Sequence, residues 1–130
     1  MAGRLSGHVM IDLGDDDFTR GRPHPMIDPA VRDAPLAEAL ADPAIGAILL
    51  DIVLGFGAHP GATDHVISML SGRRDRPLVI ASVTGTDADP QPRAAQVRKL
   101  EAAGVIVAAS NADAAALAIA ALARQPVRTP

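Results

Sequence analysis

Cysteine, tryptophan and tyrosine are all absent from the 130-residue chain. A chain without cysteine has no disulfide to hold it together, which is typical of a reducing compartment, and we expect a cytoplasmic protein. The only aromatic residues are Phe18 and Phe56, too few for the stacking surface of a single-stranded nucleic-acid binder. The core must therefore be built from Ala, Val, Ile and Leu.

Charge and hydropathy argue against a nucleic-acid partner and against a membrane-spanning segment. The formal net charge is −3, and the basic residues form no clustered stripe that would follow a phosphate backbone, so we expect no nucleic-acid partner. The longest apolar stretch, residues 44–56, is interrupted by Asp51 and is shorter than the roughly 18–20 residues of a membrane span. We expect no membrane crossing.

The length suits one domain, predicted over residues 1–124, with residues 125–130 as a C-terminal tail.

Short β-branched runs alternate with helix-type runs along the chain. The predicted strands are residues 8–13, 45–53, 78–83 and 105–108, and the predicted helices are residues 35–41, 60–72, 90–103 and 111–124. Continuous apolar strands such as AILLDIV indicate burial on both faces, as in a parallel sheet with helices on each side. The predicted fold is therefore α/β, with three layers around a doubly wound, mainly parallel sheet.

Helix boundaries have recognisable chemical signals. Pro60 and Pro90 suit the first helical position, where the missing N–H costs nothing. Ser110 followed by Asp113 resembles a capping box, and Gly104 suits the left-handed backbone that often ends a helix. These signals support the strand–helix alternation.

Ligands of open parallel sheets bind beyond the carboxyl ends of the strands, so the loops there are the candidate site. The first such loop carries adjacent carboxylates at Asp15, Asp16 and Asp17, together with Arg20 and Arg22. Three neighbouring carboxylates repel one another unless arginines, a helix start or a cation offset their charge. A functional loop and an ordinary acidic solvent loop both remain open.

The second loop has Gly55, Gly57 and His59 before a predicted helix start. Glycines let a backbone approach an anion closely, although a tight turn also needs them for steric reasons alone. The third loop offers hydroxyls, backbone amides and a carboxylate at Thr84, Gly85, Thr86 and Asp87. If the sheet is parallel, all three loops meet at one edge. His8 and His65 are expected to be structural or solvated.

Three segments of the chain, IDLGDDDFTRGRPHPMIDP, LLDIVLGFGAHP and ASVTGTDADPQ, resemble the FdrA-type proteins, relatives of the succinyl-CoA synthetase superfamily. The resemblance covers residue 8 to about residue 122. It implies a flavodoxin-like CoA-ligase domain, which larger proteins join to a CoA-binding Rossmann domain. It also implies a Rossmann-type partner domain or subunit, and homo-oligomers are common in this fold class. The FdrA-type group is associated with carbamoyl transfer to oxamate in purine catabolism, which implies an anionic carboxylate or phosphate ligand.

The chain departs from the superfamily in one important respect. Succinyl-CoA synthetases carry a phosphorylated histidine in a loop whose counterpart, residues 84–91, has no histidine in this sequence. No ATP-grasp segment or P-loop motif occurs either. Neither a phosphohistidine step nor nucleotide use is therefore expected, and the cofactor stays unknown, with CoA or a phosphate-type ligand reaching the chain through a partner. No metal site is predicted.

The leading hypothesis is a stand-alone CoA-ligase-type domain acting within a multi-protein acyl- or carbamoyl-transfer enzyme. In it, His59 and Arg20 are the catalytic candidates, Asp15, Asp16 and Asp17 order the arginines or engage a partner, and Asp87 is a further candidate carboxylate of the loops. The anion would be bound by the group Gly55, Gly57, Thr84, Gly85, Thr86 and Arg22.

Two alternatives stay open. The first is a non-catalytic assembly module whose loops form an interface. The second is a degenerate response-regulator receiver with Asp51 as phosphoacceptor and Asp15 and Asp16 as the Mg²⁺ pair. The receiver hypothesis is weaker because Ser110 and Asn111 stand where a receiver needs a lysine.

Overall fold

The computed structural model describes residues 7–124, and the predicted tail, residues 125–130, lies outside the described residues. Along the chain the elements are α1 (Asp16–Thr19), a 3₁₀ turn (Pro29–Arg32), α2 (Asp33–Ala41), β1 (Ala47–Val53), α3 (Ala62–Leu70), β2 (Leu78–Thr84), α4 (Arg93–Ala102), β3 (Ile106–Ala108) and α5 (Asn111–Arg124). Three of the four predicted strands and all four predicted helices are present.

The strands of residues 7–124 form a parallel sheet in the order β1-β2-β3. Each connection between neighbouring strands contains a helix, as a parallel crossover requires. The central strand β2 is buried from Val79 to Val83. This arrangement confirms the predicted α/β fold with a parallel sheet, which is flavodoxin-like in type.

Helices cover both faces of the sheet. Side chains alternate between the faces along a strand, so Ile48 and Ile52 of β1 lie on what we call the first face, and Leu49 and Asp51 lie on the second face. On the first face, residues of β1 and β2 pack against α2, α3 and α4 in the larger core cluster. On the second face, Ala114 and Ala118 of α5 pack on Ile80 and Ala108. The result is three layers.

The predicted strand at residues 8–13 is wrong. Residues 8–12 belong to no ladder, and Val9, Met10 and Ile11 are 54%, 96% and 41% exposed. An alternating apolar pattern favours extended backbone, but a strand also needs a neighbouring edge to supply hydrogen bonds and packing. In the described chain no sheet edge pairs with this segment.

Two of the helix-start predictions are also wrong. α3 begins at Ala62, after Pro60, and α4 begins at Arg93, after Pro90. In both loops a side chain bonds the backbone two residues ahead, a local turn that competes with the helix: the amide of Gly61 donates to His59 Nδ1, and that of Gln91 donates to Asp89 Oδ1. The Ser110–Asp113 capping box is confirmed, since the amide of Asp113 donates to Ser110 Oγ at 3.1 Å.

Candidate functional site

Segments of three loops meet near the carboxyl end of the sheet, although the first of them, the N-terminal loop, does not follow a strand as predicted. The backbone of His59, which follows β1, joins them: its N–H donates to the Met26 carbonyl at 2.8 Å, and its carbonyl accepts from Gln91 Nε2 at 3.2 Å. Met26 belongs to the long N-terminal loop, and Gln91 belongs to the loop after β2. The backbone of His59 therefore links a segment of each of the three loops.

His59 and His24 adopt the same local turn. Each is followed by proline, and in each the Nδ1 atom accepts a hydrogen bond from the backbone N–H two residues later, at 3.0 Å from Gly61 and 3.1 Å from Met26. A nitrogen that accepts carries no proton, so in the neutral ring the proton lies on Nε2. Both imidazoles are therefore set as Nε2–H donors. His24 was not among the predicted site residues, although the repeated His-Pro dipeptide could have indicated it.

The loop after β1 has an open backbone. Gly55 and Gly57 have positive φ angles of 132° and 81°, and apart from the glycine and its two chain neighbours no atom of the described residues lies within 4 Å of the place where a Cβ would stand on either. Phe56, between them, is fully exposed. A left-handed backbone favours glycine, which accounts for both glycines locally. The same conformation leaves one side of this loop clear for a ligand or a partner.

The loop after β2 is packed tightly against the end of β1. The N–H of Leu54 donates to the Thr84 carbonyl at 2.8 Å, and a Cβ on Gly85 would lie 2.7 Å from Leu54 Cβ. Thr84 and Thr86 are exposed, so their hydroxyls are accessible. The side chain of Asp87 links this loop to α4, because its Oδ1 accepts a hydrogen bond at 2.7 Å from the amide of Ala94 in the first turn of the helix.

The N-terminal carboxylates are organised around a short helix. Asp15 caps α1 by accepting from the Asp17 amide at 3.0 Å, and Asp16 and Asp17 lie in the first turn, where the helix dipole favours negative charge. Arg20 and Arg22 are exposed, and within residues 7–124 neither forms an ion pair with these carboxylates. A helix start, rather than the arginines, offsets the carboxylate charge in this structure.

Asp51 ties three elements together beside this edge. Its carboxylate accepts from Ser82 of β2 and, at 2.7 and 2.8 Å, from Asn111 Nδ2 at the start of α5. Both carboxylate oxygens of Asp51 thus accept hydrogen bonds from side chains. Asp15, which the receiver hypothesis assigns to Mg²⁺, instead caps α1. The arrangement is that of a structural carboxylate and gives the receiver hypothesis no support.

Arg32 is a residue that the sequence reasoning missed. Its Nη2 donates to the Asp51 carbonyl at 3.0 Å, across 19 positions of sequence. Burial lowers the pKa of Arg32, and the nearby negative charges of Asp51 and Asp33 partly oppose that shift. No sequence signal marks this residue, because only the fold brings it to β1.

The remaining histidines have no place in the candidate site. His65 of α3 pairs with Asp33 of α2, with 2.6 Å between Nε2 and Oδ1, and so joins two helices of the first face. His8 is exposed in the N-terminal segment.

Between residues 7 and 124, no helix combines the length and the apolar character needed to cross a bilayer.

Comparison with known proteins identifies the family. The CoA-ligase family model matches residues 2–121, so the chain belongs to the CoA-ligase family. It is similar to YahF of Escherichia coli K12, an uncharacterized protein, with 43% identity over 118 residues. The match covers 85% of this chain and 23% of YahF, so the chain spans about a quarter of that relative.

Proposed function

We propose that this chain is an FdrA-type component of a multi-protein acyl- or carbamoyl-transfer enzyme and binds an anionic group at the carboxyl end of its sheet. Membership of the CoA-ligase family supports the class of chemistry. In this proposal a Rossmann-type partner domain or subunit binds CoA, and the chain supplies anion-binding loops.

The observation that carries the proposal is the position of His59. Its backbone joins the three loops and its ring is set as an Nε2–H donor, while Gly55 and Gly57 of the same loop have free space where a Cβ would stand. Backbone amides and a neutral imidazole together can bind a phosphate or carboxylate oxygen. The exposed hydroxyls of Thr84, the last residue of the neighbouring strand, and of Thr86, in the loop after it, add two further donors.

During acyl or carbamoyl transfer, negative charge develops on an oxygen of the group being transferred, and fixed donors that meet this charge lower the barrier. His59 would act as a donor in this step, because its Nδ1 is already occupied by the Gly61 amide. A general base would need a free lone pair on Nε2, which this tautomer lacks. Arg20 and Arg22, both exposed, would supply positive charge to the incoming anion.

A non-catalytic assembly module is the second candidate. The fully exposed ring of Phe56, at the tip of the loop after β1, favours it. An uncovered aromatic side chain is a typical anchor of a protein interface. In this alternative the same three loops form a docking surface instead of an anion site.

Thermal unfolding followed by circular dichroism tests the anion site, with phosphate, carbamoyl phosphate and CoA added separately. A ligand at about 100 times its Kd stabilises the folded chain by about 2.7 kcal/mol, which raises the midpoint by several degrees. We expect phosphate or carbamoyl phosphate to raise the midpoint of the wild type and of the control His8→Ala, but not of His59→Ala. An equal rise in His59→Ala would remove His59 from the site.

Reconstituted activity separates the two candidates. In the assembled enzyme, His59→Ala should abolish most of the turnover while leaving assembly intact, and Phe56→Ala should leave assembly intact as well. Loss of assembly in either variant, measured by size-exclusion chromatography with light scattering, would favour the assembly module.

A further inference from the structure

The outer face of α5 is apolar although it is exposed. Every residue between Asp113 and Arg124 is Ala, Leu or Ile. The inner side of the helix packs on the second face of the sheet, and on the outer side Leu117 and Ile119 are 41% and 71% exposed. A surface helix normally carries polar residues on its outer face, and a helix that is apolar all round is normally buried. The composition of α5 is therefore that of a helix covered on both sides.

The two ends of this apolar stretch carry opposite charges on the same side of the helix. Asp113 and Arg124 are about three turns, or about 16 Å, apart along the axis, which brings both to one side. Both are exposed, and within residues 7–124 neither forms an ion pair. A copy of α5 that runs antiparallel to the first would meet each of these charges with its opposite, whereas a parallel copy would place like charges together.

The side chains between the two charges also suit a reversed copy in size. The register is set when Asp113 lies opposite Arg124 of the second copy. In that register Leu117 faces Ala120 of the second copy, and Ala120 faces Leu117 of the second copy. A large side chain thus meets a small one at both positions, all of them exposed, and small residues let two helix axes approach closely.

We propose that α5 packs antiparallel against α5 of a second copy of this chain and forms a two-fold symmetric dimer. The same patch is used on both copies, so the assembly closes at two. One helix from each copy buries less than the about 800 Å² per partner of a standard interface, so we expect association in the micromolar range. The proposal does not depend on the anion site, because the contact uses the outer face of α5 and not the loops.

The mass of the chain in solution tests the proposal by sedimentation equilibrium over a range of concentrations. The wild type should rise from the 13.3 kDa of one chain towards twice that mass. Ala120→Glu places a carboxylate from each copy near the two-fold axis and should dimerise about tenfold more weakly or worse. The matched control is Ala102→Glu, the same change at an exposed alanine of α4 behind the first face, which should dimerise like the wild type. All three proteins should keep the same far-UV spectrum.

Reversing one charge at a time tests the antiparallel register. Arg124→Asp and Asp113→Arg each place like charges opposite one another, so each variant alone should dimerise about threefold to tenfold more weakly. A mixture of the two restores opposite charges at both contacts and should dimerise like the wild type. The start of α5 is retained in Asp113→Arg, because Ser110 Oγ accepts from the backbone amide of residue 113. Unchanged affinity in both variants, or a mixture as weak as either variant, would overturn the proposal.

Single introduced cysteines report the orientation directly, since the chain has none of its own. Ala120→Cys lies near the two-fold axis, and a short bismaleimide should link its two copies. Ala112→Cys, at the start of the helix, should not be linked, because its copies would lie about 20 Å apart along the antiparallel pair. Equal linking at both positions would show parallel helices and overturn the proposal. So would a wild type that stays at 13.3 kDa up to millimolar concentration, or an Ala120→Glu variant that dimerises as tightly as the wild type.

Discussion

The two faces of the sheet are covered very differently. Three helices bury the first face, where Ile52 is 1% exposed, whereas α5 is the one helix of residues 7–124 that packs on the second face, where Leu49 stays 44% exposed. Both side chains belong to the same strand and are similar in size, so only the helix layer distinguishes them. The comparison indicates that the first face holds the fold together, while the second face near β1 is available for association.

The largest expected effect comes from the first face. Ile52→Ala should lower the free energy of unfolding by about 2–5 kcal/mol, because it removes methyl groups from a close-packed site and leaves a cavity. Leu49→Ala, its counterpart on the second face, should cost less than about 1 kcal/mol. Urea unfolding followed by circular dichroism measures both. Equal losses in the two variants would refute the proposed division between the faces.

The contact between the candidate site and the first face should give the next largest effect. Gly85→Ala places a methyl group 2.7 Å from Leu54 Cβ, so we expect a loss of about 1–3 kcal/mol from overpacking. Adding Leu54→Gly removes that Cβ and makes room for the methyl group, and the double variant should lose less than the sum of the two single losses. If the losses of unfolding free energy were strictly additive in urea unfolding, positions 54 and 85 would not be in steric contact.

On the second face, α5 is held by a polar contact as well as by packing. Asn111→Ala removes both hydrogen bonds to the Asp51 carboxylate, and we expect a loss of about 1–2 kcal/mol. Ser68→Ala is the matched control, since its exposed hydroxyl bonds only the carbonyl of His65 within α3. If the two variants unfold at the same urea concentration, the Asp51 contact adds little to the second face.

The smallest effect concerns the stability of the isolated chain at the open edge. Leu49→Lys should change the free energy of unfolding by less than about 0.5 kcal/mol, because the long side chain keeps its stem on the sheet and its charge in water. Thermal melts of the wild type, Leu49→Lys and Ile106→Lys should therefore nearly coincide. A large drop for Leu49→Lys alone would show that this edge is part of the core.

Sequence patterns predicted the middle of the chain well and its beginning poorly. The runs that became β1, β2 and β3 were recognised within two residues, because buried parallel strands are continuous apolar segments. The run at residues 8–13 has a similar composition but lacks a pairing edge in the described chain, so the same pattern failed. The short α1 was not predicted, although Asp15 provides its cap.

The candidate site was predictable as a region but not in its details. Loop chemistry indicated His59, Gly55 and Gly57, and strand order indicated that the loops would meet. The sequence reasoning did not anticipate that Asp87 accepts a hydrogen bond from the Ala94 amide of α4, or that Arg32 bonds the Asp51 carbonyl. Their partners lie 7 and 19 residues away, beyond the reach of a local pattern.

The sequence by itself determined the alternation of strand and helix, the parallel sheet and the polar loops after its strands, because these follow from local periodicity and turn chemistry. The tertiary structure decided which face of each strand is covered, which histidine nitrogen is occupied, and which strand edge stays open. These features depend on contacts between residues far apart in sequence, which form only when the helices pack on the sheet.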